Sequence, residues 1–97
     1  MQIKDHRLSG ESVKWIPSPR AQSARIEPSL IVLHDTAGAL RLNSSVEWFK
    51  SAECKTSVHF VIERDGSIVQ MVECDRKADH AGESSWKGRK YCNGFSL

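Results

Sequence analysis

Two apolar alternations meet at Asp65-Gly66, and no other stretch of the chain constrains the fold as tightly. Val58, Phe60 and Ile62 alternate with His59, Val61 and Glu63; beyond Arg64-Asp65-Gly66 the pattern resumes as Ser67-Ile68-Val69-Gln70-Met71-Val72. Period-two alternation sends successive side chains to opposite faces of a strand, and Asp-Gly tolerates the positive φ that a tight turn demands. The spacing predicts a β-hairpin with His59, Val61 and Glu63 on one face. A lone hairpin is marginal in water, so the remaining chain must cover it.

Other segments supply that cover. Leu30-Ile31-Val32-Leu33 is an unbroken apolar run, the pattern of a strand buried on both faces, and it ends in the small and polar His34-Asp35-Thr36-Ala37-Gly38. Side chains at such a strand end lie at the rim of a sheet, a common position for a site. Ser44 with Glu47 has the spacing of a capping box. Val46, Phe49 and Ala52 then follow at helical spacing with Trp48 expected in the core, and the helix is expected to end near Glu53 or Cys54. Phe95 and Leu97 read as the start of a further strand. Residues 1–29, broken by Pro17, Pro19 and Pro28, read as an extended arm with little regular structure that docks through Val13, Trp15 and Ile16. Glu73 to Arg89 is polar without a period and reads as one long loop, a frequent carrier of function.

Composition narrows the class. With 97 residues there is room for one small domain, and 39% hydrophobic with 27% charged residues is ordinary for a globular chain. No apolar run approaches the roughly 20 residues of a membrane span. The polar start Met1-Gln2-Ile3-Lys4-Asp5-His6 lacks the apolar core of a secretory signal, so a cytoplasmic location is expected. A net charge of +2 gives no argument for nucleic acid. Cys54, Cys74 and Cys92 are odd in number and widely spaced, which points to reduced thiols rather than a disulfide frame or a thiolate zinc cluster.

The candidates for chemistry are histidines and one tryptophan. His34 follows an apolar strand and precedes a polar rim; it reads either as a metal ligand or as a hydrogen-bonded strand-end histidine. His59 lies within a strand and reads as structural, needing a hydrogen-bond partner. His80, between Asp79 and Ala81-Gly82, reads as a substrate contact, as a group that orients a ligand, or as a surface histidine. Trp86, among Ser84, Ser85, Lys87 and Arg89, is placed to stack on a sugar or peptide or to anchor its loop. The chain contains no P-loop, no dinucleotide-binding glycine motif, no G-x-S-x-G elbow and no H-E-x-x-H pair.

Taken in order, these segments resemble the zinc-dependent N-acetylmuramoyl-L-alanine amidases of the type 2 group, relatives of the phage T7-type lysozyme and the peptidoglycan recognition proteins. The residues that carry the resemblance are Ile31 to Gly38, Ser57 to Gly66, Ile68 to Val72, His80-Ala81-Gly82-Glu83-Ser84-Ser85-Trp86 and Asn93-Gly94-Phe95-Ser96-Leu97. The resemblance implies an α/β (α+β) fold with a mixed central β-sheet flanked by helices, in a truncated type 2 amidase-like form. Residues 1–29 would be the N-terminal arm and 30–97 the N-terminal part of the catalytic domain. It implies hydrolysis of the lactyl–L-Ala amide of muropeptides by zinc-activated water, with His34 as a Zn2+ ligand, Thr36, His80 and Trp86 toward substrate, and His59 in support.

The chain departs from the family pattern in several places. The family's later histidine and third ligand fall beyond Leu97, as does its glutamate base. Val58 stands where the T7-like branch has a tyrosine, and Asp79 where an aromatic residue is common. The resemblance therefore leaves two functional expectations, an amidase incomplete in this chain and a non-catalytic peptidoglycan-binding module, beside a decayed gene product. Self-association or a partner chain is expected to cover the unfinished edge. Phage-type release is the other route to the wall.

Overall fold

The computed structural model describes residues 1–35 and 43–97. The expected hairpin is its centre. β4 (Phe60–Ile62) and β5 (Ile68–Gln70) pair antiparallel with Val61 opposite Val69. The turn between them closes through the Gly66 N–H donating to the Glu63 carbonyl at 3.0 Å and the Glu63 N–H donating to the Ser67 carbonyl at 2.8 Å. Gly66 takes φ 87° there, and Asp65 Oδ1 accepts from both the N–H and the hydroxyl of Ser67. This explains the Asp-Gly pair: the aspartate caps the turn locally and the glycine bends it.

The first 29 residues hold more regular structure than the prolines suggest. β1 (Gln2–Lys4) and β2 (Arg7–Ser9) form an antiparallel ribbon whose turn uses Asp5 and His6 at positive φ. β3 (Val13–Trp15) joins the main sheet parallel to β5, giving the order β3-β5-β4. The prolines all lie after β3, so they interrupt nothing that this strand needs. Gln70, 1% exposed, ties the ribbon down. Its Oε1 accepts from the Leu8 N–H at 2.7 Å, while its Nε2 donates to the carbonyls of His6 and Val72 at 2.9 Å each.

One helix, α1 (Ser44–Lys50), covers the sheet among the described residues. Val46 and Phe49 pack with Val61, Val69, Met71 and Cys54 into the main core, flanked by Ile16 and Val58. Each such side chain contributes about 1.5–3 kcal/mol on full burial. Two expectations about this helix change. Asn43, not Ser44, is the N-cap, in a left-handed conformation without a side-chain capping bond. The helix also stops at Lys50, because the Ser51 hydroxyl donates to the Trp48 carbonyl at 2.8 Å and the Arg20 guanidinium takes the carbonyls of Ser51, Ala52 and Cys54. Those three oxygens lie past the last helical residue, so the guanidinium holds the extended chain that follows Ser51. Ala52, beyond the helix, is exposed, and Trp48, off the stripe formed by Val46 and Phe49, lies half open at 50% rather than in the core.

The Leu30–Leu33 run is not buried on both faces. It pairs on one side with the chain's last residues in parallel: Leu30 bridges Ser96, the Leu97 N–H donates to Leu30 at 2.9 Å and the Val32 N–H donates to Leu97 at 3.0 Å. Phe95 and Leu97, expected to start a further strand, make only this isolated bridge and its flanking backbone bonds among the described residues. Ile31 and Leu33, however, are 70% and 86% exposed. An apolar run carries no period by which to tell one covered face from two.

The long polar segment also has structure. β6 (Ser85–Trp86) and β7 (Arg89–Lys90) make a two-residue hairpin around Lys87-Gly88, at φ 48° and 81°. Positive φ at both turn positions matches the twist of the strands, and Gly88 supplies the harder of the two. A short 3-10 turn (Cys92–Gly94) leads into the final segment. Cys54, Cys74 and Cys92 are buried free thiols.

Candidate functional site

The two ends of the apolar rim and the polar segment meet in a pair of imidazoles. His34 follows the Leu30–Leu33 run, and its Nε2 lies 3.0 Å from His80 Nδ1. The rings meet edge-on, with centroids 5.2 Å apart at 79°. His59 sits beside them, its ring centroid 6.0 Å from that of His80. Three histidines separated in sequence by the helix and the hairpin thus converge on one face.

Each has a different environment. His34 is exposed. His59 is 2% exposed; its Nε2 donates to the Arg76 carbonyl at 2.7 Å, and its buried Nδ1 has no partner among the described residues. Burial lowers its pKa from the usual imidazole value against that carbonyl's pull, which favours the neutral ring. His80 is likewise lowered, first by burial and then by the neighbouring His34 and His59. Its Nε2 reaches the Ser96 hydroxyl at 3.1 Å.

The backbone at His80 is held from two directions. Asn93 Oδ1 accepts from the N–H groups of His80 and Ala81 at 3.0 and 2.8 Å. On the other side the Asp79 N–H donates to the Ser57 hydroxyl at 2.8 Å, the Ser57 N–H donates to the Asp79 carbonyl at 3.1 Å, and the Gln22 amide donates to the Asp79 carboxylate. Asp79 therefore acts as a tether here, where an aromatic residue was expected from the resemblance. Asn93, Ser96 and Ser57 were not singled out as site residues. The only signal for Asn93 and Ser96 was their place in the quoted terminal segment, and for Ser57 its position one turn of alternation ahead of His59.

The imidazole pair opens onto a groove of about 550 Å³. Val58, Phe60, Leu33 and Leu97 line it together with His34, His59 and His80. A mostly apolar concavity with a few convergent polar groups is the usual form of a small-molecule site. Trp86 is 51% exposed on the β6–β7 hairpin and is not among the groove's lining residues. Thr36 lies outside the described residues.

The whole arrangement follows a known pattern. Residues 24–97 match the N-acetylmuramoyl-L-alanine amidase family model. The chain belongs to that family. Among curated amidases, the 1,6-anhydro-N-acetylmuramyl-L-alanine amidase AmpD of Citrobacter freundii is 34% identical over 100 residues, covering 84% of this chain and 54% of the relative. The Escherichia coli (strain K12) AmpD is 50% identical over 46 residues, 47% of this chain and 25% of the relative. A crystal structure of a Se-Met AmpD derivative superposes on this amidase-family chain with a TM-score of 0.76 at 31% identity, over 100% of this chain and 63% of that one. The solution structure of Citrobacter freundii AmpD gives 0.62 at 32%, over 99% and 60%. The chain spans about half the length of the curated relatives it matches.

The family is generally zinc-dependent, which makes the donor set worth testing. Among the described residues no group of three or more His, Cys, Asp or Glu is placed to hold a metal ion. His80 has both ring nitrogens engaged, and the free nitrogen of His59 is buried. That leaves His34 as one ligand, where a catalytic zinc takes about three from protein. The described residues do not by themselves fit the metal.

Proposed function

We propose that this chain serves the hydrolysis of muropeptide amides, as the part of an N-acetylmuramoyl-L-alanine amidase that forms the groove and presents His34. The observation that carries the reading is the convergence of His34 and His80, from two separate family segments, on one apolar groove. The substrate class is a muropeptide, with the 1,6-anhydro sugar of the relatives' substrates as the first compound to try. Zinc would enter through His34, with its other ligands supplied from outside the described residues, by a longer parent chain, a second copy or a partner. A cytoplasmic location goes with this reading, and phage-type release is the other route. Among the described residues no helix is long and apolar enough to cross a membrane.

The test is titration of the chain with a 1,6-anhydro-muropeptide, followed by backbone amide shifts. Saturable shifts at Leu33, His34, Val58 and His80, weakened by His34→Ala, are expected. Binding that is absent at millimolar ligand, or that centres elsewhere, overturns the reading. The single ligand among the described residues favours a second form, a module that binds muropeptide without cutting it. Adding zinc to the bound complex and assaying released L-Ala peptide separates the two.

A further inference from the structure

We infer that His80 is a positioning residue: through a one-way hydrogen-bond chain ending at the Cys92 carbonyl, it holds the His34 proton on Nε2 and leaves Nδ1 as that ring's free lone pair. The direction of the chain follows from its last link. The Cys92 carbonyl is an acceptor, and it takes a proton from the Ser96 hydroxyl at 2.6 Å. Ser96 is fully buried and has one hydroxyl proton. With that proton spent, its oxygen can meet His80 Nε2, 3.1 Å away, only as an acceptor, so His80 carries its proton on Nε2. In a neutral ring Nδ1 is then a lone pair. It faces His34 Nε2 at 3.0 Å, which must donate.

The surroundings reinforce this order. The bonds from Asn93 and Ser57 hold the backbone of the 79–81 segment, so His80 is braced before anything binds. The groups facing His34 through this chain are thus set by the buried end of the fold rather than by solvent. The inference rests on the proposed function only for what the free Nδ1 finally meets; the bond network stands without it.

Ring nitrogen NMR on the uniformly labelled chain, without ligand and at about pH 8 where a free imidazole is neutral, tests it directly. Long-range proton–nitrogen correlations are expected to place the protons of both His34 and His80 on Nε2. The His34 Nε2–H should be shielded from exchange, and His80→Leu should speed that exchange by about tenfold, the factor of one ordinary hydrogen bond. His80→Asn, which keeps an acceptor near the Nδ1 position, should restore most of the protection. Ser96→Ala should release His80 into a mixture of tautomers. A proton on Nδ1 of either ring in the wild-type chain overturns the inference, even if no variant folds. So does a His34 ring signal unchanged by His80→Leu. Because no muropeptide is present, failure here is distinct from failure of the binding experiment.

Discussion

Asn93→Ala removes the acceptor that holds the backbone of His80 and Ala81. Asn93 is 9% exposed, and its Oδ1 receives two backbone N–H groups, from His80 at 3.0 Å and Ala81 at 2.8 Å. Alanine leaves both partly buried donors without that acceptor. At about 1 kcal/mol for each lost bond, the cost is about 2 kcal/mol. For a domain of this size that corresponds to a fall in melting temperature of about 8–16 °C. Asn93→Asp retains an acceptor oxygen at the same place and should recover most of the loss. Thermal and urea denaturation measure the global cost, and amide hydrogen exchange at His80 and Ala81 assigns it. A loss below about 0.5 kcal/mol, with both amides still protected, would refute the claim that Asn93 holds the loop.

Other perturbations probe the rest of the fold. Gln70→Leu should cost about 1–3 kcal/mol and open residues 1–9 to protease, since its amide links the β1–β2 ribbon to β5; an unchanged digestion pattern counts against that link. Phe49→Ala should cost about 3–5 kcal/mol in urea unfolding, as for other aromatic truncations in a core. The lowered pKa values of His59 and His80 mean that the unfolded chain binds protons these rings refuse in the folded state. Stability is then fully present above the unfolded imidazole value of about 6.5 and is lost as pH falls below it. The urea midpoint should drop between about pH 7 and 5, and His59→Phe should flatten that slope. Dialysis against a chelator should leave the melting temperature unchanged, because the described residues offer zinc one imidazole; a clear fall would reveal ligands elsewhere in the chain.

What could be read from the amino acids alone was whatever depends on near neighbours. The Asp65-Gly66 turn and the alternation on either side of it needed no distant partner, and the hairpin formed with Val61 opposite Val69. Asn93-Gly94-Phe95-Ser96-Leu97 was recognisable as a family segment, although nothing in its composition says that Asn93 would hold His80 or that Ser96 would orient it. Lys87-Gly88 carried a turn signal inside a stretch whose polarity masked it.

The remainder was decided by contacts across the chain. Leu30 to Leu33 has no period, so only its one-sided pairing with Phe95 to Leu97 determined which face is covered. The helix ended at Lys50 because Arg20, far away in sequence, satisfies the carbonyls beyond it. Trp48 was exposed because only the Val46 and Phe49 face of the helix meets the core. The histidines show the division most plainly: their identities at positions 34, 59 and 80 named the candidates. The free nitrogen of His59 depended on a carbonyl at Arg76, and the order inferred for His80 and His34 depended on a hydroxyl at Ser96 and a carbonyl at Cys92. Hydrogen-bond direction belongs to pairs of atoms brought together by folding, and a linear sequence does not contain those pairs.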